Sequence, residues 1–184
     1  MAKSKTRRLG FQVDKMSNSI EHVRTGKVFA TRLVQLYPSD AALLTSLKWQ
    51  FDWTLELQNP LHEVSALTTV EEPEVIQGII SMVDQHDHVF IPLIESAPFN
   101  IGAGKEYTGV PSNLVAYACF RSLRIGYDGV VAFVAKSRLV EHYENTLGAK
   151  RFAGNRMFIE TEAADRLIRN YLKNFDEEQL QEIG

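Results

Sequence analysis

A single cysteine in 184 residues, Cys119, rules out an internal disulfide and suits a reducing compartment. It falls within an amphipathic helical pattern, where a small buried hydrophobe is expected rather than a nucleophile. No apolar run approaches the roughly 20 residues of a membrane span. The charged N-terminus lacks the apolar core of a secretory signal, so a cytoplasmic protein with no membrane partner is expected. An excess of one charge is also missing: 20 Lys and Arg against 23 Asp and Glu leave −3, which gives no overall attraction to nucleic acid. There is no repeat, no low-complexity linker and no Gly-x-Gly-x-x-Gly run, and Gly102 and Gly104 do not directly follow a strand, which leaves a Rossmann-type nucleotide site a distant third reading.

What is present is ordinary for one folded domain: 45% hydrophobic and 23% charged residues. We expect a basic N-terminal segment over 1–18, carrying Lys3, Lys5, Arg7 and Arg8 as a solvated tail, one domain over 19–175, and an acidic tail over 176–184. Ser19–Val23 and Lys27–Leu36 flank Arg24-Thr25-Gly26 as a hairpin would. Pro38-Ser39-Asp40 offers a helix start, with Ala41, Leu44, Leu47, Lys48 and Phe51 at helical spacing up to Trp53. Trp49, Phe51 and Trp53 form a dense aromatic group, core material first and a cleft wall second. Strands are expected over 63–70, 75–82 and 89–94. The polar connection Asp84 to His88 lacks ligands converging from separate elements, so no metal is expected there.

From His88 onward the order is strand, loop, helix, strand, helix, hairpin, with Gly154-Asn155 as the last turn. Successive strands followed by alternating helices and strands imply an α+β or α/β domain with a mixed sheet. A glycine-containing turn opening a helix gathers free N–H groups where the dipole favours anions. Gly109-Val110-Pro111-Ser112-Asn113-Leu114 is such a turn, with proline near the first helical position. The loop over 98–108 is long, and Gly102 and Gly104 suggest a lid, a substrate flap or a disordered insertion. At the C-terminus, Thr161 can cap a helix with an apolar stripe of Leu167, Ile168, Tyr171, Leu172 and Phe175, which could pair with a second copy in a homodimer.

The run ESAPFN, YTGV, NL, GYDG, HY and LGA over roughly residues 74 to 161 resembles the GNAT superfamily of N-acetyltransferases, in particular a bacterial subgroup. In that family acetyl-CoA lies between splayed strands of a mixed, mostly antiparallel sheet, with its pyrophosphate on the helix after the fourth strand. The phosphate motif looks like Glu106-Tyr107-Thr108-Gly109-Val110-Pro111 with Leu114; Gly109 and Leu114 match, while Glu106 and Pro111 depart from it. The resemblance implies phosphate contacts from Gly109, Val110, Ser112, Asn113 and Leu114, with Lys105 supplying charge. It implies pantetheine and carbonyl contacts from the strand at Ile94 to Ser96. Tyr143, ahead of Gly148 and Ala149, stands where relatives keep a general acid, and Glu95 is the carboxylate placed for a general base; Lys136 replaces a common asparagine. The alternative for Tyr143 is a helix aromatic packed on the sheet, and Glu95 could equally face solvent or pair with Lys105 or Arg138; His142 is expected on an exposed helix face. The implied function is acetyl transfer from acetyl-CoA to a primary amine of a small molecule or peptide. The alternative is a degenerate member that binds CoA or a protein without catalysis.

Overall fold

The computed structural model describes residues 6–15 and 19–172. Strand β1 (Ile20–His22) turns through a bend at Gly26 onto β2 (Val28–Phe29), and the chain then breaks at Ala30 before β3 (Thr31–Leu36). The expected long second strand of the hairpin is thus two strands: β2 stays in a small sheet, while β3 joins the main one. Pro38–Leu44 forms a 3₁₀ turn, and α1 (Trp53–Gln58) starts afresh under an Asp52 cap whose side chain accepts from the Thr54 N–H. The helix expected over 41–53 therefore does not form as one piece. Its midsection gives backbone N–H groups to a side chain described below.

Strands β4 (His62–Thr69), β5 (Gly78–Asp84) and β6 (Val89–Ser96) follow, then a 3₁₀ turn at Pro98–Asn100 and the short β7 (Tyr107–Thr108). Helix α2 (Val110–Arg124), strand β8 (Val131–Val134), helix α3 (Val140–Leu147), strands β9 (Lys150–Ala153) and β10 (Arg156–Ile159), and helix α4 (Thr161–Tyr171) complete the chain. The main sheet has the order β3-β4-β5-β6-β8-β10-β9, antiparallel throughout except for the β6–β8 pair. The small sheet has the order β2-β1-β7.

Helix α2 covers one face, and Val110 to Phe120 are all buried between the sheet and α4. Cys119 lies at 0% exposure in that layer, as a packed hydrophobe. The α4 stripe is spent inside the molecule: Ala164, Leu167 and Tyr171 are buried, and α4 packs on α2. It is not free to pair with a second copy. Phe175 and the acidic tail lie outside the described residues.

The loop over 98–108 is tied down. The Asn100 side chain donates to the backbone carbonyl and side-chain oxygen of Gln77 and accepts from the Tyr107 N–H, and the Glu106 N–H donates to the Phe99 carbonyl. Three hydrogen bonds to one buried amide and one between the two arms of the loop fix its base in place of the expected disordered insertion, while Ile101 and Gly102 at its exposed tip line the cavity described below.

Candidate active site

Strands β6 and β8 are paired at Val89–Val131 and Phe90–Ala132 and part beyond that point. The cause is local. Between Ser81 and Val83 of β5 the partners on β6 run from Leu93 to Phe90, so β6 carries an extra residue. Pro92 sits in this bulge, where a residue without an N–H is tolerated. The bulge bends β6 away from β8 and reverses which backbone groups face the gap. Ala97 donates its N–H toward β5, to the Gln77 carbonyl. By the alternation of a strand, the N–H and C=O of Ile94 and Ser96 then point the other way, into the gap.

The far side of the gap is filled by the chain's own N-terminal segment, the expected tail. Leu9 pairs in parallel with Ala135: its N–H donates to the Val134 carbonyl at 2.6 Å and its carbonyl accepts from the Lys136 N–H at 2.8 Å. Leu9 and Val13 are buried at 2% and 8% exposure, so residues 6–15 form part of the domain. We call them the strap. Phe11 stacks on Tyr143 with ring centroids 4.7 Å apart, and Val13 donates its N–H to Nε2 of His142 at 2.9 Å. His142 is thus engaged rather than merely exposed. Arg7 holds the start of the strap, on Oε1 of Glu56 at 3.0 Å and over the Phe51 ring at 5.4 Å.

This arrangement relocates several residues singled out from the sequence. Gly109 has φ +91, and a Cβ there would lie 2.5 Å from the Ser19 carbonyl oxygen, so backbone geometry requires the glycine. Its N–H donates to Oδ1 of Asp14 at 2.9 Å, and Oδ2 of Asp14 accepts from Lys105 at 2.7 Å. The Ser112 hydroxyl donates to the Lys15 carbonyl, as does the Tyr171 hydroxyl. Asn113 donates to the Gly109 carbonyl and accepts from Thr31, while Val110 and Leu114 are core residues. The mouth of α2 is therefore sealed by Asp14 and Lys15, and Gly109, Val110, Ser112, Asn113 and Leu114 do not present a vacant phosphate cradle.

Tyr143 is likewise committed. It is fully buried, its hydroxyl donates to the Phe11 carbonyl, and burial pushes its pKa above the usual phenol value. It holds the strap rather than facing an open chamber. Glu95, at 5% exposure, accepts from the Gln50 N–H at 2.6 Å, the Phe51 N–H at 3.4 Å and the Trp53 indole at 2.8 Å. It neither faces solvent nor pairs with Lys105 or Arg138, and its grip on Gln50 and Phe51 interrupts the helix expected there. A carboxylate offers about four lone-pair directions, so the three donors leave about one for a further partner.

Between the strap and the free edge of β6 a cavity of about 340 Å³ remains, lined by Ile94, Glu95, Ser96, Gln50, Phe51 and Pro111, among others. That volume lies within the range of small-molecule sites. Its charged lining is five cations, Arg7, Arg8, Lys105, Lys136 and Arg138, against two anions, Asp14 and Glu95, in a chain that is acidic as a whole. Of the residues singled out from the sequence, Ile94, Glu95, Ser96, Lys105 and Pro111 meet here, whereas Tyr143, Gly109, Val110, Ser112, Asn113 and Leu114 are not in the lining. The strap was missed although its signal is visible: Leu9, Phe11 and Val13 alternate with Gly10, Gln12 and Asp14 at the period of a strand.

Among the described residues no group of three or more His, Cys, Asp or Glu could hold a metal, and no helix is long and apolar enough to cross a membrane. No protein-family model matches the chain, and no curated protein matches it. Solved structures do. AtaTR bound with acetyl-CoA is similar at 16% identity and a TM-score of 0.51, over 75% of this chain and 98% of that one. A chimera of the spermidine N-acetyltransferase SpeG from Vibrio cholerae and hSSAT is similar at 14% identity and a TM-score of 0.50, over 73% of this chain and 97% of that one. At such identities the likeness is one of fold, and with the mixed sheet opened between β6 and β8 this chain has the fold of the GNAT acetyltransferases.

Proposed function

We propose that this protein is an N-acetyltransferase that passes acetyl from acetyl-CoA to a primary amine of a small molecule or peptide, in the reducing cytoplasm that its lone buried cysteine suits. The observation that carries the reading is the unpaired edge of β6 facing a cation-lined cavity. Ile94 and Ser96 would pair with the amides of the pantetheine arm as a neighbouring strand would. The amine must attack as the neutral base, so Glu95, directly or through one water, takes the proton that the ammonium loses. The nitrogen bonds to the thioester carbon, the carbon–sulfur bond breaks, and the departing thiolate takes up the second proton, the one that the nitrogen sheds as it becomes an amide. Tyr143 anchors the strap that forms the opposite wall.

A second reading has its own support. Asp14 sits where a phosphate would on the α2 mouth and Tyr143 is bonded to Phe11, as in a fold that has exchanged catalysis for binding. Calorimetry with CoA and acetyl-CoA, followed by thiol release across a panel of amines, separates the two. Saturable binding with amine-dependent release supports the transferase. Binding without release favours the module, and no binding overturns the transferase and any module that uses CoA.

A further inference from the structure

We infer that the phosphates of the acyl carrier are held by Arg8, Lys136 and Arg138, on the strap side of the crevice, rather than by the N-terminus of α2. The inference rests on the acetyl-CoA reading for its ligand, but the anion site stands on its own geometry. The α2 mouth already holds an anion: the Asp14 carboxylate takes the Gly109 N–H and the Lys105 ammonium. A diphosphate placed there would meet that carboxylate as a like charge in a partly desolvated corner.

The opposite wall is built the other way. Leu9 and Ala135 bridge one another and are both buried, so their side chains share the core face. By the two-residue period of a strand, Arg8, Gly10 and Lys136 share the other face, the one that lines the cavity. Gly10 is what lets them gather. A Cβ at Gly10 would meet Cδ and Cε of Lys136 at 2.8 Å and its Nζ at 2.9 Å, so the lysine stem lies directly across the bare backbone. Arg138 lines the same cavity two residues further on. The other two cations of the lining are engaged, Arg7 with Glu56 and Lys105 with Asp14. Among the described residues no ion pair within 4.0 Å joins Arg8, Lys136 or Arg138 to a carboxylate. Three cations with no counter-ion among the described residues, on one wall of a concavity, form a site for a polyanion of diphosphate size.

The test is calorimetry with two probes, CoA and inorganic pyrophosphate, on the wild type, on Lys136→Glu/Arg138→Glu, on Arg8→Glu, and on Arg124→Glu as an exposed control at the far end of α2. Melting curves run in parallel confirm that each variant folds. Loss of at least about tenfold in affinity for both probes in the double variant and in Arg8→Glu, with the control unchanged, supports the site. CoA binding that survives these reversals but tightens in Asp14→Asn overturns the site and leaves the acetyltransferase reading intact. Pyrophosphate binding that needs these three residues, without any CoA binding, supports the site and sinks that reading. Binding of neither probe by the wild type overturns both.

Discussion

Replacing Tyr143 by phenylalanine separates a residue that holds the strap from one that donates a proton in the reaction. The ring would stay: it stacks on Phe11 at 4.7 Å and meets Phe133 edge-on at 5.5 Å, and neither contact needs the hydroxyl. What goes is one hydrogen bond, leaving the Phe11 carbonyl without its donor. An unsatisfied buried acceptor costs about 1–3 kcal/mol, so we expect a loss near 2 kcal/mol. For a domain of this size each kcal/mol moves the melting temperature by roughly 2–4 °C, which gives a fall of roughly 4–8 °C. Acetyl transfer measured under saturating substrate should fall by less than about tenfold, because the hydroxyl does not line the cavity. A general acid would show the reverse pattern, a loss of about 10²–10⁴ in kcat with an unchanged melting temperature. That result would refute the assignment and require the strap to leave before the chemistry.

Gly109→Ala should destabilise the fold strongly, because φ +91 and the Ser19 carbonyl 2.5 Å from the new Cβ both oppose it; a soluble variant with normal melting but lost CoA affinity would restore the glycine to a phosphate role. Burial would raise the pKa of Glu56, but hydrogen bonds from Ser81, Arg7 and His62 outweigh that and lower it. Its contribution to stability is therefore complete above the unfolded value, about 4.3, and lost as pH falls through the lower folded value. Urea titrations between about pH 7 and pH 3 should show this loss, and Glu56→Gln should flatten it; an unchanged slope would count against the pair. Cys119 is fully buried and its pKa is pushed well up by desolvation, so a thiol reagent should label it only on unfolding. Rapid labelling of the native protein would contradict the packing.

The order of elements was legible because it rests on local signals. Chain breakers at Asn59-Pro60 and Glu71-Glu72-Pro73 bounded β4, an apolar run marked β6, and the Gly-Val-Pro turn marked the start of α2 within a residue of its place. The errors fell where a distant group decides. A helix over 41–53 satisfies the spacing of Leu44, Leu47 and Phe51, yet the helical turn stops at Leu44, and the Glu95 carboxylate, more than forty residues away, holds the Gln50 and Phe51 N–H groups in the irregular stretch that follows. The C-terminal stripe was read correctly as apolar, but its partner, α2, could not be read from periodicity alone.

The strap is the instructive failure. Its basic residues point to a solvated tail, whereas its alternating Leu9, Phe11 and Val13 have the period of a strand. Opening a sheet in the middle leaves β8 with an unpaired edge, and such an edge must be covered or paired. A bound acyl carrier would pair with the β6 edge of the gap, leaving the β8 edge needing a partner of its own. In this chain the partner is Leu9, with backbone bonds to Val134 and Lys136 on either side of it. The same segment then caps α2 through Asp14, a position otherwise open to a phosphate, and brings Arg8 and Gly10 to Lys136. Sealing one anion site and building the other are thus two consequences of a single strand pairing, so a variant that releases Leu9 from β8 should alter both together.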